Sequence, residues 1–225
     1  TDNNTWVDID TSTTTSYTAG SPKVISGLAN GTQIFIRVAA ITTAGTGAYA
    51  LAVNTPYTTP DAPNSVASTS GDGYATVTWA APSSNGGSQV MGYIITDTRG
   101  GVTETFTVSS LTTSYTINNN VANGTLITIS VAAYNTAGTG TSATTSTTPI
   151  GFPGQVGTIN ATAGDGTATV NFSSASFPGS TVINYIVASS TDGANWTTLA
   201  TINPSSPLTY TIASGLTNGT AITFR

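Results

Sequence analysis

The chain is predicted to be all-β, built from antiparallel two-sheet sandwiches in tandem, and three observations carry that expectation. Apolar residues alternate with polar ones in short runs. The cleanest is Ile127, Ile129, Val131 and Ala133 interleaved with Thr128, Ser130 and Ala132, the period-2 pattern of a half-buried strand. Turn signals separate those runs and no helical period interrupts them, which points to an antiparallel sandwich. Finally, five markers recur in one order: NGT at 30–32, 123–125 and 218–220; GDG at 71–73 and 164–166; AGTG at 44–47 and 137–140; TVTW (76–79) as TVNF (169–172); and GYII (92–95) as NYIV (184–187). Asn30 to Asn123 is 93 positions and Asn123 to Asn218 is 95. Solenoid and propeller-blade units run to about 50 residues, whereas about 93 fits a whole small domain with its own core.

Taken in order, residues 1–57 supply the C-terminal half of a repeat. TDNNTW (1–6) matches TDGANW (191–196) late in the third copy, and strands are expected around Trp6, around Tyr17, over QIFIRVAA (33–40) and after AGTG. Tyr57 to Pro63 forms a joint, because prolines lack amide donors and suit a linker or strand entry better than a sheet interior. Residues 58–149 hold one complete repeat. There Val77 and Trp79 share one strand face and Thr76 and Thr78 the other. A turn at Asn85, Gly86 and Gly87 leads to Val90, Tyr93 and Ile95, and two more strands carry Phe106 with Val108 and Tyr115 with Ile117. The expected core is Trp79, Tyr93, Ile95, Ile127, Ile129 and Val131. Residues 150–225 supply the N-terminal three-quarters of a third repeat, in which Phe172 replaces Trp79, Tyr185 and Val187 keep the next strand, and Trp196, Tyr210, Leu216 and Ile222 continue the pattern. Arg225 corresponds to Arg37 inside the long alternating strand. The expectation is a window on a longer array, in preference to head-to-tail complementation between chains.

Composition narrows the function. Charged residues make up 6%, against roughly 25% in ordinary soluble domains, and the net charge is −5, which argues against nucleic acid or an anionic membrane as partner. No run approaches the roughly 18 apolar residues of a membrane span. With neither His nor Cys, the chain has no His-based triad, thiolate nucleophile or disulfide. Glu104 is the sole Glu and has no counterpart in another copy, so no carboxylate pair of a glycosidase is evident. Asp72 and Asp165 share the GDG position, where a tight turn wants Asp and Gly. Asp2, Asp97 and Asp192 each sit alone in a TD pair after the GYII-type strand, too few oxygens for calcium.

Other motifs read as architecture. SSNGGS (83–88) lacks the Lys and helix of a phosphate loop. Sequons at Asn3, Asn30, Asn123, Asn160, Asn171, Asn195 and Asn218 read first as turns. No RGD occurs, and Lys23 is the only Lys, which excludes a Lys–Asn isopeptide within 58–225. Trp6 and Trp196 stand at equivalent positions near a strand edge, where packing is favoured over a carbohydrate platform. No catalytic, cofactor-binding or metal residue is therefore expected, nor any cofactor.

Trp79 on the second strand, Tyr93 on the third, the NGT turn before the long alternation and the AGTG turn after it resemble a fibronectin type III domain. The Gly/Thr-rich style is similar to versions in bacterial surface and secreted proteins. The resemblance spans the chain and implies seven-stranded, immunoglobulin-like sandwiches. It departs at the tyrosine corner, where this chain has Ile34, Ile127 and Ile222, so packing of the Ile is expected to replace that hydrogen bond. It implies a non-enzymatic structural or adhesive repeat on a cell surface, stalk, filament or virion exterior, whose partners are neighbouring repeats or copies of itself. Two alternatives stay open: accessory spacer modules of a secreted polysaccharide-degrading enzyme, and a carbohydrate- or protein-binding module.

Overall fold

A computed structural model describes residues 24–177 and 179–225; the strands expected around Trp6 and Tyr17, and Asp2, lie outside them. Every named element is a strand. In the first segment β1 (Ile34–Val38) pairs antiparallel with β4 (Ala50–Asn54), from Ile34 opposite Asn54 to Val38 opposite Ala50. Between them β2 (Ile41–Thr42) and β3 (Gly45–Thr46) form a small hairpin around AGTG. The expected run over 33–40 and the strand after AGTG are therefore both present.

The middle segment contains seven strands: β5 (Asn64–Gly71), β6 (Tyr74–Ala80), β7 (Gly92–Arg99), β8 (Val102–Ser109), β9 (Ser114–Ile117), β10 (Ile127–Asn135) and β11 (Gly138–Thr147). They form a three-stranded sheet, β5-β6-β9, and a four-stranded sheet, β11-β10-β7-β8. The two sheets make a sandwich, and alternation decides which residues enter it. Val77, Trp79, Tyr93, Ile95, Ile129 and Val131 are buried, as is Ile127, while the intervening residues point outward. Trp79 of β6 meets Tyr93 of β7 edge-on at 5.3 Å between ring centroids. Val90 is only half-buried, because it precedes β7 and lies outside the strict alternation.

The third segment repeats the plan with β12 (Ile159–Gly164), β13 (Thr167–Phe172), β14 (Tyr185–Ser190), β15 (Thr197–Ile202), β16 (Thr209–Ile212) and β17 (Thr223–Phe224). Its sheets are β12-β13-β16 and β15-β14-β17, the order of the middle segment. Phe172 takes the place of Trp79, and its ring meets Tyr185 at 5.2 Å and 64°, against 5.3 Å and 61° for Trp79 and Tyr93. The chain is thus a tandem β-sandwich protein.

Threonine explains how so uncharged a chain finishes its sheet surfaces. The hydroxyls of Thr76 and Thr116 lie 3.0 Å apart across β6 and β9, and those of Thr169 and Thr211 lie 3.2 Å apart at the matching place on β13 and β16. Thr98 and Thr103 do the same at 3.0 Å across β7 and β8. Such cross-strand pairs satisfy polar groups on the exposed face and favour one register.

By contact the chain resolves into two compact units, one of residues up to Ala67 with Val77–Tyr115 and Thr128–Thr145, the other of Ser68–Thr76, Thr116–Ile127 and Ser146–Arg225. Each unit holds one end of the middle repeat together with the repeat next to it in the chain.

Candidate functional site

The two turn motifs that recur in the sequence are one device. Asn123 of NGT donates its side-chain amide to Asp72 of GDG at 2.7 Å, and the Gly73 amide donates to the Asn123 side-chain oxygen at 2.9 Å. Ninety-odd residues on, Asn218 donates to Asp165 at 2.7 Å and the Gly166 amide donates to Asn218 at 2.9 Å. The asparagine thus clamps a turn some 51 residues earlier in the chain. Of the Ile residues expected to pack in place of the tyrosine corner, Ile127 is buried and Ile34 and Ile222 are half-buried, and a side-chain lock also crosses the same end of the sandwich. Asp72 and Asp165 are turn residues, as the sequence implied, and each additionally serves as acceptor for its asparagine. The pairing was signalled by the joint recurrence of GDG and NGT, which a separate reading of each turn passed over.

Replacing Asn123 with Ala removes both bonds, one of them to a carboxylate. The expected loss is about 1–2 kcal/mol, read in urea as a lower midpoint for the β10 amides with an unchanged slope. The lock also bears on the sequons, because a glycan on Asn123 or Asn218 would be attached to the same side-chain nitrogen that donates to Asp72 or Asp165.

The two described TD aspartates, Asp97 and Asp192, are not equivalent. Asp97 lies inside β7, opposite Glu104 on β8, with no exposed surface. Arg99, two residues on and on the same face, is also buried; its Nη1 lies 2.7 Å from Asp97 Oδ2 and its Nη2 pairs with Glu104. The expectation that Asp97 follows the strand and stands alone, like Asp192, is corrected by where each strand ends. Asp97 lies four positions after Tyr93, inside β7, whereas Asp192 lies seven after Tyr185, past the end of β14, whose last residue, Ser190, is buried. Burial pushes the Asp97 carboxyl above its ordinary value; Arg99 opposes that shift and Glu104 adds to it.

Asp192 shows the reverse. Its Oδ1 accepts from the amides of Asn195 at 2.8 Å and Ala194 at 2.9 Å and from the Ser190 hydroxyl at 2.8 Å, while its Oδ2 accepts from the Asn195 side chain at 2.6 Å. These donors, the Asn195 amide first, hold the carboxyl well below the usual carboxylate range.

Ligand-shaped features are few among the described residues. An apolar cleft lined by Val170, Phe172, Tyr185 and Arg225 has about 30 Å³ of space, a tenth of what a small-molecule pocket needs. No three His, Cys, Asp or Glu side chains gather as metal ligands, and no helix is long and apolar enough to cross a membrane. Trp196 is half-buried, and the Arg225 guanidinium stacks 4.3 Å from its ring centroid, a cation–π contact that occupies one face of the ring. Arg37 stacks on Tyr49 at the same distance.

No family model and no curated protein matches the chain. Among solved structures it is similar to a two-domain fibronectin type III segment from chicken tenascin, at 19% identity and a TM-score of 0.38, over 69% of this chain and 85% of that one. It is also similar to a titin domain segment, at 23% identity and a TM-score of 0.37, over 44% of this chain and 36% of that one. At those scores the sandwich rests on the strand pairing above, and the likeness carries nothing about function.

Proposed function

We propose that the chain is a non-enzymatic structural or adhesive repeat segment of an extracellular protein, such as a surface, stalk or filament component. Its three repeat positions are 1–57, 58–149 and 150–225. One observation carries this reading most directly: five of the six described carboxylates are engaged in holding the fold. Asp72 and Asp165 bind the NGT asparagines, Asp192 is ringed by donors of its own turn, and Asp97 and Glu104 face Arg99. A carboxylate tied in this way is neither free to take a proton from a substrate nor placed in a cleft that could hold one. The exterior setting is supported by composition, which is Thr/Gly-rich, weakly charged and free of Cys.

The test is to present the intact chain to a glycan array and to ester, peptide and glycoside substrates. No specific glycan signal and no turnover are expected. Saturable glycan binding lost on Trp196→Ala would make it a carbohydrate-binding module, and turnover lost on changing one named Asp would make it an enzyme.

A further inference from the structure

The NGT turn has a second partner besides its own GDG turn. The Gly31 amide donates to the carbonyl of Pro56 at 2.9 Å, and the Gly124 amide donates to that of Pro149 at 2.8 Å; each proline stands 25 positions after its glycine, at the entry to the next repeat. A loop of that next repeat then comes against the same place. Gly87, in the turn before β7, approaches Gly31 so closely that a Cβ on Gly87 would lie 2.8 Å from the Gly31 Cα and 2.6 Å from the Asn30 carbonyl carbon. Gly179, in the turn before β14, stands 92 positions after Gly87 and does the same to the next turn along: its Cβ would lie 2.7 Å from the Gly124 nitrogen and 3.0 Å from its Cα. All four glycines have positive φ, between 79° and 84°, a region that L side chains adopt at a cost of about 1–2 kcal/mol.

We infer that the NGT turns at Gly31 and Gly124 are docking surfaces for the repeat that follows each, and that their partners are the Gly-Ser steps, Gly87-Ser88 and Gly179-Ser180, before that repeat's third strand. The contact is backbone on backbone, which explains why both sides are glycine: any side chain would push the loop off the turn. Further bonds tie the same loops to the joint. The Thr58 amide donates to the Gly86 carbonyl at 2.8 Å, and buried Asn135 donates to the carbonyls of both Thr58 and Asn85 at 2.8 Å. Around the second joint the Gly154 amide donates to the Ser176 carbonyl at 2.7 Å, where the Asp61 backbone amide donates to the Ser84 carbonyl at 3.0 Å around the first. The linkers that the prolines mark are accordingly fixed joints and not free hinges. A chain of such joints transmits orientation from one repeat to the next, which is what a stalk or filament requires. The inference rests on the structural-repeat reading only for that last consequence.

Amide exchange on the isotopically labelled intact chain tests it. Gly219 is the internal reference, since it belongs to an NGT turn at φ 84° whose Cβ position has no described atom within 4 Å. The Gly31 and Gly124 amides should exchange at least tenfold more slowly than that of Gly219. Gly179→Ala should remove most of the protection at Gly124 and leave Gly31 unchanged, and Gly87→Ala should do the reverse. Gly193→Ala and Gly101→Ala are the controls, since both sites have positive φ with nothing nearby and carry backbone strain without the clash. Gly124 exchanging as fast as Gly219 in the parent chain would overturn the inference without recourse to any variant. So would a Gly179→Ala effect no larger than that of Gly193→Ala. A glycan or substrate hit would displace the structural-repeat reading and leave these rates unaltered, so the two failures are distinguishable.

Discussion

Trp79→Ala should destabilise the middle sandwich by about 3–5 kcal/mol, a large part of the 5–15 kcal/mol that holds a typical domain. The side chain is 5% exposed and meets Tyr93 edge-on, so truncation removes both its buried area and the aromatic contact and leaves a cavity that the rigid sheets cannot close. Exchange of the β10 amides through global opening, measured in the intact chain, is the readout; an unchanged rate would mean that another residue anchors the core. Trp79→Phe should cost far less. The indole Nε1–H is buried without an acceptor among the described residues, and an orphaned donor costs about 1–3 kcal/mol, which the substitution would recover against the lost volume. Phe172 already fills the equivalent place with nearly the same ring geometry.

Arg99→Met should be comparably damaging, again by about 3–5 kcal/mol, because it leaves Asp97 charged and buried without its counter-ion. Asp97→Leu combined with Arg99→Met should return to near the parent stability or exceed it, since a packed apolar pair avoids the desolvation of both ions. Urea midpoints of the single and double variants form the check. The pH dependence has a definite sign. With its folded pKa raised above the ordinary 3.8, Asp97 contributes stability that is fully present below that value and lost as pH rises through the folded pKa. Arg99→Met removes the one influence from a neighbouring charge that lowers it, so its deficit should shrink as pH falls toward 4. Asp192 runs the other way. Its folded pKa is depressed, so its contribution is present above 3.8 and lost as pH falls through the lower folded value. Carboxyl chemical shifts followed by NMR should therefore move in opposite directions from the ordinary midpoint for the two residues.

Much of this molecule is legible in one dimension. Alternation at 127–131 and 76–79 determined which face of β10 and β6 is buried, because a strand sends successive side chains to opposite sides and water sorts them; Ala132, expected on the outer face, is buried as well. The 93- and 95-residue spacings determined the tandem plan, and Gly in GDG and NGT determined turns, because φ near +80° is open to little else. Tertiary structure decided the relations between those turns. That Asn123 reaches Asp72, or that Gly179 lies on Gly124, depends on where two sheets bring distant loops, and no local propensity records it. Asp97 makes the same point from inside a strand. Its TD pair reads like that of Asp192, yet one residue is buried beside Arg99 and the other is an exposed turn acceptor. Asp97 lies four positions after Tyr93, inside β7, and Asp192 lies seven after Tyr185, past the end of β14. One therefore shares the inward face of its strand and the other does not, and where each strand stops is settled by the strand it pairs with.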